Sequence, residues 1–371
     1  MPYPKIDPSR LRVWSLTDRK SLFPWEEVVQ DPDSPPHPMN EQQRFQLRQL
    51  AKSITEAREN EASIILAYGA HLIKNGCGPL VNWLVTRGWV THVATQGAGI
   101  IHDWEYAYQG TSSESVRENA PVGRFGSWDE TGKAINLAVI TGGLEGLGFG
   151  EAIGRFIEED GLMIPTVESL VEDLVSDPRH PLSGAKADML AVLKDSNLEP
   201  GRWQVDHPHK DVSVPACCYR NGVPMTVHPG IGYDIIVNHP LFNGAAIGRA
   251  AEIDVRTLTE SCCHLSGGVY LSIGSAIMSP QVFEKAFSAA NNLRIQEGKD
   301  FISGHYIAVV DIQDGGDWDW SRGEPPKDNP AYYLRFCKSM HRMGGTVDYL
   351  CCDNRVLLSN LIDVLKEDSP D

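Results

Sequence analysis

Residues 62–99 read ASIILAYGAHLIKNGCGPLVNWLVTRGWVTHVATQGAG, and this stretch decides the fold. "ASIILAYG" (62–69) is an apolar run long enough for one buried strand, and it stops at Gly69. "GPLVNWLVTRG" (78–88) has the amphipathic spacing of a short helix and is closed by Gly88. "VTHVATQG" then resumes as a strand, with Val90, His92 and Ala94 alternating with Thr91, Val93 and Thr95. Apolar strands separated by a helix predict a parallel sheet covered on both faces.

The alternation continues outward. Asn40 is placed to cap a helix over 41–59, where Phe45, Leu47, Leu50, Ile54 and Ala57 recur at helical spacing. "INLAVITGG" (135–143) reads as another strand and "GEAIGRFIEEDG" (150–161) as the helix after it. Two helices are expected within 162–200. Further strands are expected in 217–227, 269–275, 306–312 and 347–353, with helices at 280–295, 331–341 and 355–366. No linker divides the chain. The expected fold is an α/β, Rossmann-like domain over 41–371, preceded by an extended Pro-rich arm over 1–40. That arm is expected to lie across a neighbouring subunit if it is ordered.

With 49 acidic and 33 basic residues, the net charge of −16 disfavours binding to a phosphate backbone, so no nucleic acid is expected as partner. No apolar run approaches the roughly 20 residues that span a bilayer. "MPYPKIDPSRLRVW" lacks the apolar region of a secretory signal, so a cytoplasmic protein is expected. Six of the eight cysteines form adjacent pairs, a spacing that suits neither zinc nor a disulfide and predicts reduced thiols.

Four stretches carry candidate chemistry. In the first, Gly97, Ala98 and Gly99 end a strand and open its backbone to a ligand, with His102, Asp103 and Glu105 following. These three ionisable groups face the crevice, or Asp103 caps the next helix. "TGGLEGLGFGEAIG" (141–154) has the setting of a phosphate-binding turn but no register gives GxGxxG. "SGGVYLSIGSAIMSPQVF" (266–283) closes a strand with Gly274 and Ser275, and Ser279-Pro280 opens a helix suited to an anion. "QDGGDWDWSRGEPPKDNPAYY" (313–333) mixes Asp317 and Asp319 with Trp318, a composition that suits an ammonium ligand or a solvated acidic loop. His207 and His209 in "DHPHKD" have no evident third ligand, and no metal is expected.

Taken in order over roughly 65–355, "HLIKNG", "ATQGAGIIHD", "YRNGVPMTVHPGIGYDII", "VYLSIGSAI" and "YLCCDN" resemble motifs of the deoxyhypusine synthase superfamily. The resemblance implies that fold, NAD as cofactor, a small amine as substrate and a homotetramer. It puts Gly97, Ala98, Gly99, Gly274, Ser275 and Asp353 against the cofactor and Asp234 against the substrate ammonium. His102 stands where the family has a glutamate. The imine-forming lysine of the family falls at Arg335, while Lys327 and Lys338 are out of register, which argues against true deoxyhypusine synthase activity. A second resemblance covers about 40 residues. His102, Asp103, Glu105, Gly110, Thr111 and Ser112 match a domain of the archaeal and cyanobacterial type of NAD-dependent ornithine cyclodeaminase.

Together these readings lead to an expected NAD-dependent transferase or deaminase/cyclodeaminase acting on a small amine or amino acid through an imine that is deaminated, cyclised or transferred. His102, with Asp103 and Glu105, is the expected catalytic group. Asp234, with Asp317 or Asp319, would hold the substrate nitrogen under Trp318. The rival readings keep the fold with another nucleotide or metabolite, or make the chain a non-catalytic partner subunit.

Overall fold

The computed structural model describes residues 3–194, 196–316 and 318–368. Its centre is a six-stranded parallel sheet of β1 (Ile64–Tyr68), β2 (His92–Thr95), β3 (Met225–Val227), β4 (Val269–Ile273), β5 (Tyr306–Asp311) and β6 (Thr346–Cys351). The helices that position the site are α1 (Glu41–Glu59), α2 (Ala70–Lys74), α3 (Gly78–Thr86), α4 (Gly97–Gln109), α5 (Asp129–Gly142), α6 (Phe149–Glu158), α7 (Val214–Asn221), α8 (Gly244–Cys263), α9 (Met278–Gln296), α10 (Arg335–His341) and α11 (Asn354–Asp368). Across the sheet the strands run β6-β5-β4-β1-β2-β3, all parallel. This is the 3-2-1-4-5-6 order of dinucleotide-binding folds, and it reverses direction between β1 and β4.

The pleat sorts the strand residues. Ile64, Leu66, Val269 and Leu271 pack with Leu47, Leu50, Leu80 and Leu357 of α1, α3 and α11 on one face. Ile65, Ala67, Tyr270 and Ile307 pack with Leu258, Phe283 and Met340 of α8, α9 and α10 on the other. Burial on both faces is why these strands read as continuous apolar runs. Helix α1 begins at the expected residue, with Asn40 and Gln43 forming a reciprocal capping box.

Three expected elements are corrected. Residues 135–143 fall almost wholly within helix α5, whose residues 134–142 are all buried. A helix buried all round has no polar face to reveal its period, so its apolar run is indistinguishable from a strand. The glycines that follow therefore join two helices instead of forming a phosphate-binding turn after a strand. A Cβ on Gly148 would lie 1.9 Å from Asp254 Oδ1, and one on Gly150 would lie 2.0 Å from the Met225 carbonyl oxygen. Those glycines admit close packing of α6. The segment 217–227 is strand only from Met225; Val214–Asn221 is α7, started by the Ser213 side chain, which accepts from Ala216 N. An antiparallel pair, Gly161–Ile164 with Gly201–Gln204, frames the two helices expected between them.

From Trp14 onward the Pro-rich arm packs on its own domain. Leu16, Trp25 and Met39 are buried in its core. Phe23–Pro24 pairs with Thr111–Ser112, and Trp14 N donates to the Ser127 carbonyl at 2.9 Å. All eight cysteines are free thiols. Among the described residues no helix is long and apolar enough to cross a membrane.

Candidate functional site

The carboxyl ends of β1 and β4 meet at the point where strand order reverses. Gly69 N donates to the Ile273 carbonyl at 2.9 Å, and Gly274 N donates to the Val310 carbonyl at 2.8 Å. A Cβ on Gly69 would stand 2.0 Å from the Gly274 carbonyl oxygen, so the two loops touch through backbone. Gly274 has φ +57°, is exposed, and has open space where a side chain would be. At the switch point the exposed main chain of Gly274 is therefore bare of side chain, which lets a ligand such as a pyrophosphate approach the backbone. Ser275 is buried and its Oγ accepts from Ser279 N at 3.2 Å, so it fixes the start of α9.

Next along the edge, β2 leads straight into α4, which starts at Gly97 itself, without an intervening loop. The absence of side chains here has two local causes. A Cβ on Gly97 would lie 2.2 Å from Asp234 Oδ2, and one on Gly99 would lie 2.3 Å from Thr95 Oγ1. Gly97 thus leaves a berth for a carboxylate at the N-terminus of α4, while Ala98 beside it is half-buried. Asp234 also accepts from Gly230 N at 2.7 Å. Burial raises its carboxyl to about 6, against the lowering effect of the Gly230 amide.

Because α4 is helical, His102, Asp103 and Glu105 do not form one cluster. Neighbours in a helix point about 100° apart, whereas positions three apart share a face. Asp103 turns inward and accepts from Ser213 Oγ at 2.5 Å and Val214 N at 2.9 Å, anchoring the start of α7. Burial raises its carboxyl to about 7 despite those two bonds. It does not cap its own helix. His102 and Glu105 share the opposite side and are joined through Ser112: His102 Nδ1 lies 2.8 Å from Ser112 Oγ, which donates to Glu105 Oε2 at 2.6 Å. Glu105 further accepts from Arg19 Nη1 at 2.6 Å, Arg19 Nη2 at 2.8 Å and Thr131 Oγ1 at 3.0 Å. Burial would raise Glu105, but the Arg19 fork, with His102 and Ser112, outweighs it and holds the carboxylate low.

His102 is also electrostatically coupled to His71 and Lys74 of α2. Burial is the main cause of its pKa falling to about 4; Glu105 opposes the fall, while Lys74, Arg19 and His71 reinforce it. Burial also lowers Lys74, whose ammonium sits 5.5 Å from the Phe23 ring. His71 is lowered by burial and by Lys74, against Asp311 at the end of β5. A second polar chain reaches the same edge: Ser261 Oγ to His92 Nδ1 at 2.8 Å, His92 Nε2 to Thr226 Oγ1 at 2.9 Å, and Thr226 Oγ1 to His228 Nε2 at 3.2 Å. His71, Lys74 and His228 escaped the sequence reading, since they lie in two separate βα junctions, after β1 and after β3, that only the glycines beside them mark.

The remaining expected residues have local partners. Asp319 is exposed and its carboxylate caps the turn at Ser321, accepting from Ser321 N at 2.9 Å. Trp318 is half-buried, donates to the Gly323 carbonyl at 2.9 Å and lies 5.3 Å from the Arg322 guanidinium. Asp317 lies outside the described residues. Asp353 follows β6 and is paired with Arg355 at 2.9 Å. Among the described residues no group of three or more His, Cys, Asp or Glu side chains is placed to hold a metal.

Fold and edge together define an α/β protein of Rossmann type with its topological switch point between β1 and β4. In agreement, residues 48–176 match the family model described as arginine dihydrolase ArgZ-like, C-terminal, Rossmann fold. The match covers about a third of the chain and includes β1, α2, β2 and α4 with Ser112. It supports the second of the two resemblances, to the ornithine cyclodeaminase domain, and not the assignment to deoxyhypusine synthase. Among curated proteins none matches. Solved structures with a similar course include AgrE bound to L-arginine, at 14% identity and TM-score 0.44, over 90% of this chain and 34% of that one. Another is an LOR/SDH protein from Methanococcus maripaludis S2, at 16% and 0.43, over 91% and 74%. A third is ArgZ, described as an arginine dihydrolase of the ornithine-ammonia cycle in Cyanobacteria, at 15% and 0.40, over 88% and 33%. The chain thus spans about a third of the length of AgrE and ArgZ.

Proposed function

We propose that this chain is an NAD-dependent enzyme that oxidises a nitrogen-bearing carbon of a small amino acid or amine to an imine, which is then deaminated or cyclised. The observation that carries the reading is the bare main chain at Gly274, packed on Gly69, at the switch point of a 3-2-1-4-5-6 sheet. Its β1 half lies in the segment that matches a Rossmann-fold family. The amides at the head of α2 and after Gly274 would hold the pyrophosphate of NAD, which supplies the hydride acceptor, since the Gly69 and Gly274 amides are themselves bonded to Ile273 and Val310. Gly97 and Gly99 make room for Asp234 and Thr95 beside the proposed cofactor site.

The chain's own residues then divide the remaining work. The buried Asp234 carboxylate at the head of α4 attracts the substrate ammonium, and that charge in turn favours its ionised form. Lys74, a cationic group in an acidic protein, with the neutral His71 imidazole beside it on α2, suits the carboxylate of an amino acid. His102, neutral at pH 7, accepts the proton released as the carbon–nitrogen bond is oxidised. Aminoalkyl transfer of the deoxyhypusine type is no part of this proposal, since Arg335 stands at the position of its lysine and opens helix α10.

The test is a screen of amino acids and amines with NAD, followed by absorbance of the reduced cofactor and ammonia release. Turnover of an amino acid that falls sharply in His102→Ala supports the reading. Turnover that is indifferent to His102, or no turnover of any amine by a protein that binds NAD, refutes it.

A further inference from the structure

The proton inventory around Ser112 decides the state of His102. Ser112 carries one hydroxyl proton and has two partners, Glu105 Oε2 at 2.6 Å and His102 Nδ1 at 2.8 Å. Glu105 can only accept, because the Arg19 guanidinium grips both of its oxygens in a pair whose side chains are each 1% exposed. The serine proton therefore goes to Glu105. The contact with the imidazole then requires the proton to sit on Nδ1. That leaves Nε2 bare, with no partner among the described residues, and it is not among the buried unpaired atoms.

Arg19 is the origin of this order and comes from the N-terminal arm, 86 residues before Glu105. It is itself fixed: Nε donates to Ser21 Oγ at 3.2 Å, and the guanidinium lies 5.8 Å from the Trp128 ring. We propose that Arg19 is a positioning residue which, through Glu105 and Ser112, locks His102 in the tautomer protonated on Nδ1 and presents Nε2 to the crevice as the proton acceptor. The lock is a property of the folded chain; the acceptor role rests on the proposed function. The arm is then a working part of the site, and a single charge on it selects which ring nitrogen does chemistry.

Nitrogen NMR of the histidine rings in the full chain tests the lock without substrate, using wild type, Ser112→Ala and Arg19→Lys. Wild-type His102 is expected in the Nδ1–H form by about tenfold or more, and Ser112→Ala is expected to abolish that preference. Arg19→Lys keeps the charge but loses the two-pronged grip, so it should give an intermediate population. If Arg19→Lys does not fold, the small Ser112→Ala change still decides the matter. Wild-type His102 protonated on Nε2, or an unchanged tautomer in Ser112→Ala, overturns the inference. In an active enzyme the same variants should lower kcat with little change in KM. A wild type that shows the Nδ1–H tautomer but no turnover upholds the lock and counts against the proposed function alone.

Discussion

Replacing Asp234 by asparagine should stabilise the protein, by an amount that depends on pH. The carboxyl is 4% exposed and its pKa is raised by burial from 3.8 to about 6. The folded protein therefore keeps a proton that the unfolded chain has already lost. The stability tied to that proton is complete below 3.8 and disappears as pH rises through about 6. The whole difference amounts to about 3 kcal/mol. Asparagine cannot ionise, yet its oxygen can still accept from Gly230 N, so the variant escapes the cost. Urea denaturation at about pH 5 and about pH 8 should show its advantage widening by roughly 1–2 kcal/mol. Comparing the variant with wild type cancels the other titrating groups, which are common to both. An advantage that is the same at both pH values, or a variant less stable at the higher one, would refute the desolvated carboxylate. A stabilising change at a residue proposed to bind substrate should also cost function, seen as a raised KM for the amine.

Gly69→Ala puts a methyl group 2.0 Å from the Gly274 carbonyl oxygen, so it should cost about 1–3 kcal/mol in denaturation and weaken NAD binding more than stability alone explains. Asp103→Ala strands the Ser213 hydroxyl and Val214 amide at the start of α7, for a loss of about 2–4 kcal/mol by the same assay. Trp25→Ala removes an arm side chain packed edge-on against Tyr106 at 5.1 Å and should cost about 3–5 kcal/mol, an effect absent if the arm only brushes the domain.

Much of the sheet was legible because its strands are short apolar runs ended by glycine or a polar turn: β1 by Gly69, β4 by Gly274, and β5 and β6 by polar turns. What misled was burial without periodicity. Helix α5 shows no polar face, and α7 places Cys217-Cys218-Tyr219, good strand formers, on a helix opened by Ser213 and Pro215. At the site, the spacing of His102 and Glu105 carries real information once a helix is assumed, because three residues put both on one face. The same helix separates Asp103 from them, which the reading of an open loop could not show. Arg19 was invisible, since nothing local in "SLTDRKS" announces a partner so distant in sequence. The acidic, aromatic loop around Trp318 looked like a cage by composition, but Asp319 and the Trp318 indole N–H spend their polar atoms on the loop's own turns.

The central claim, a dinucleotide crevice between the ends of β1 and β4, is tested most directly by titrating isotope-labelled protein with NAD and following its backbone amides. Saturable shifts concentrated at Gly69, Ala70, Gly274 and Ser275 are expected, with thermal stabilisation of about 2.7 kcal/mol at a hundredfold excess over Kd. Shifts confined to another face of the molecule, or no binding of NAD at any concentration, would contradict it.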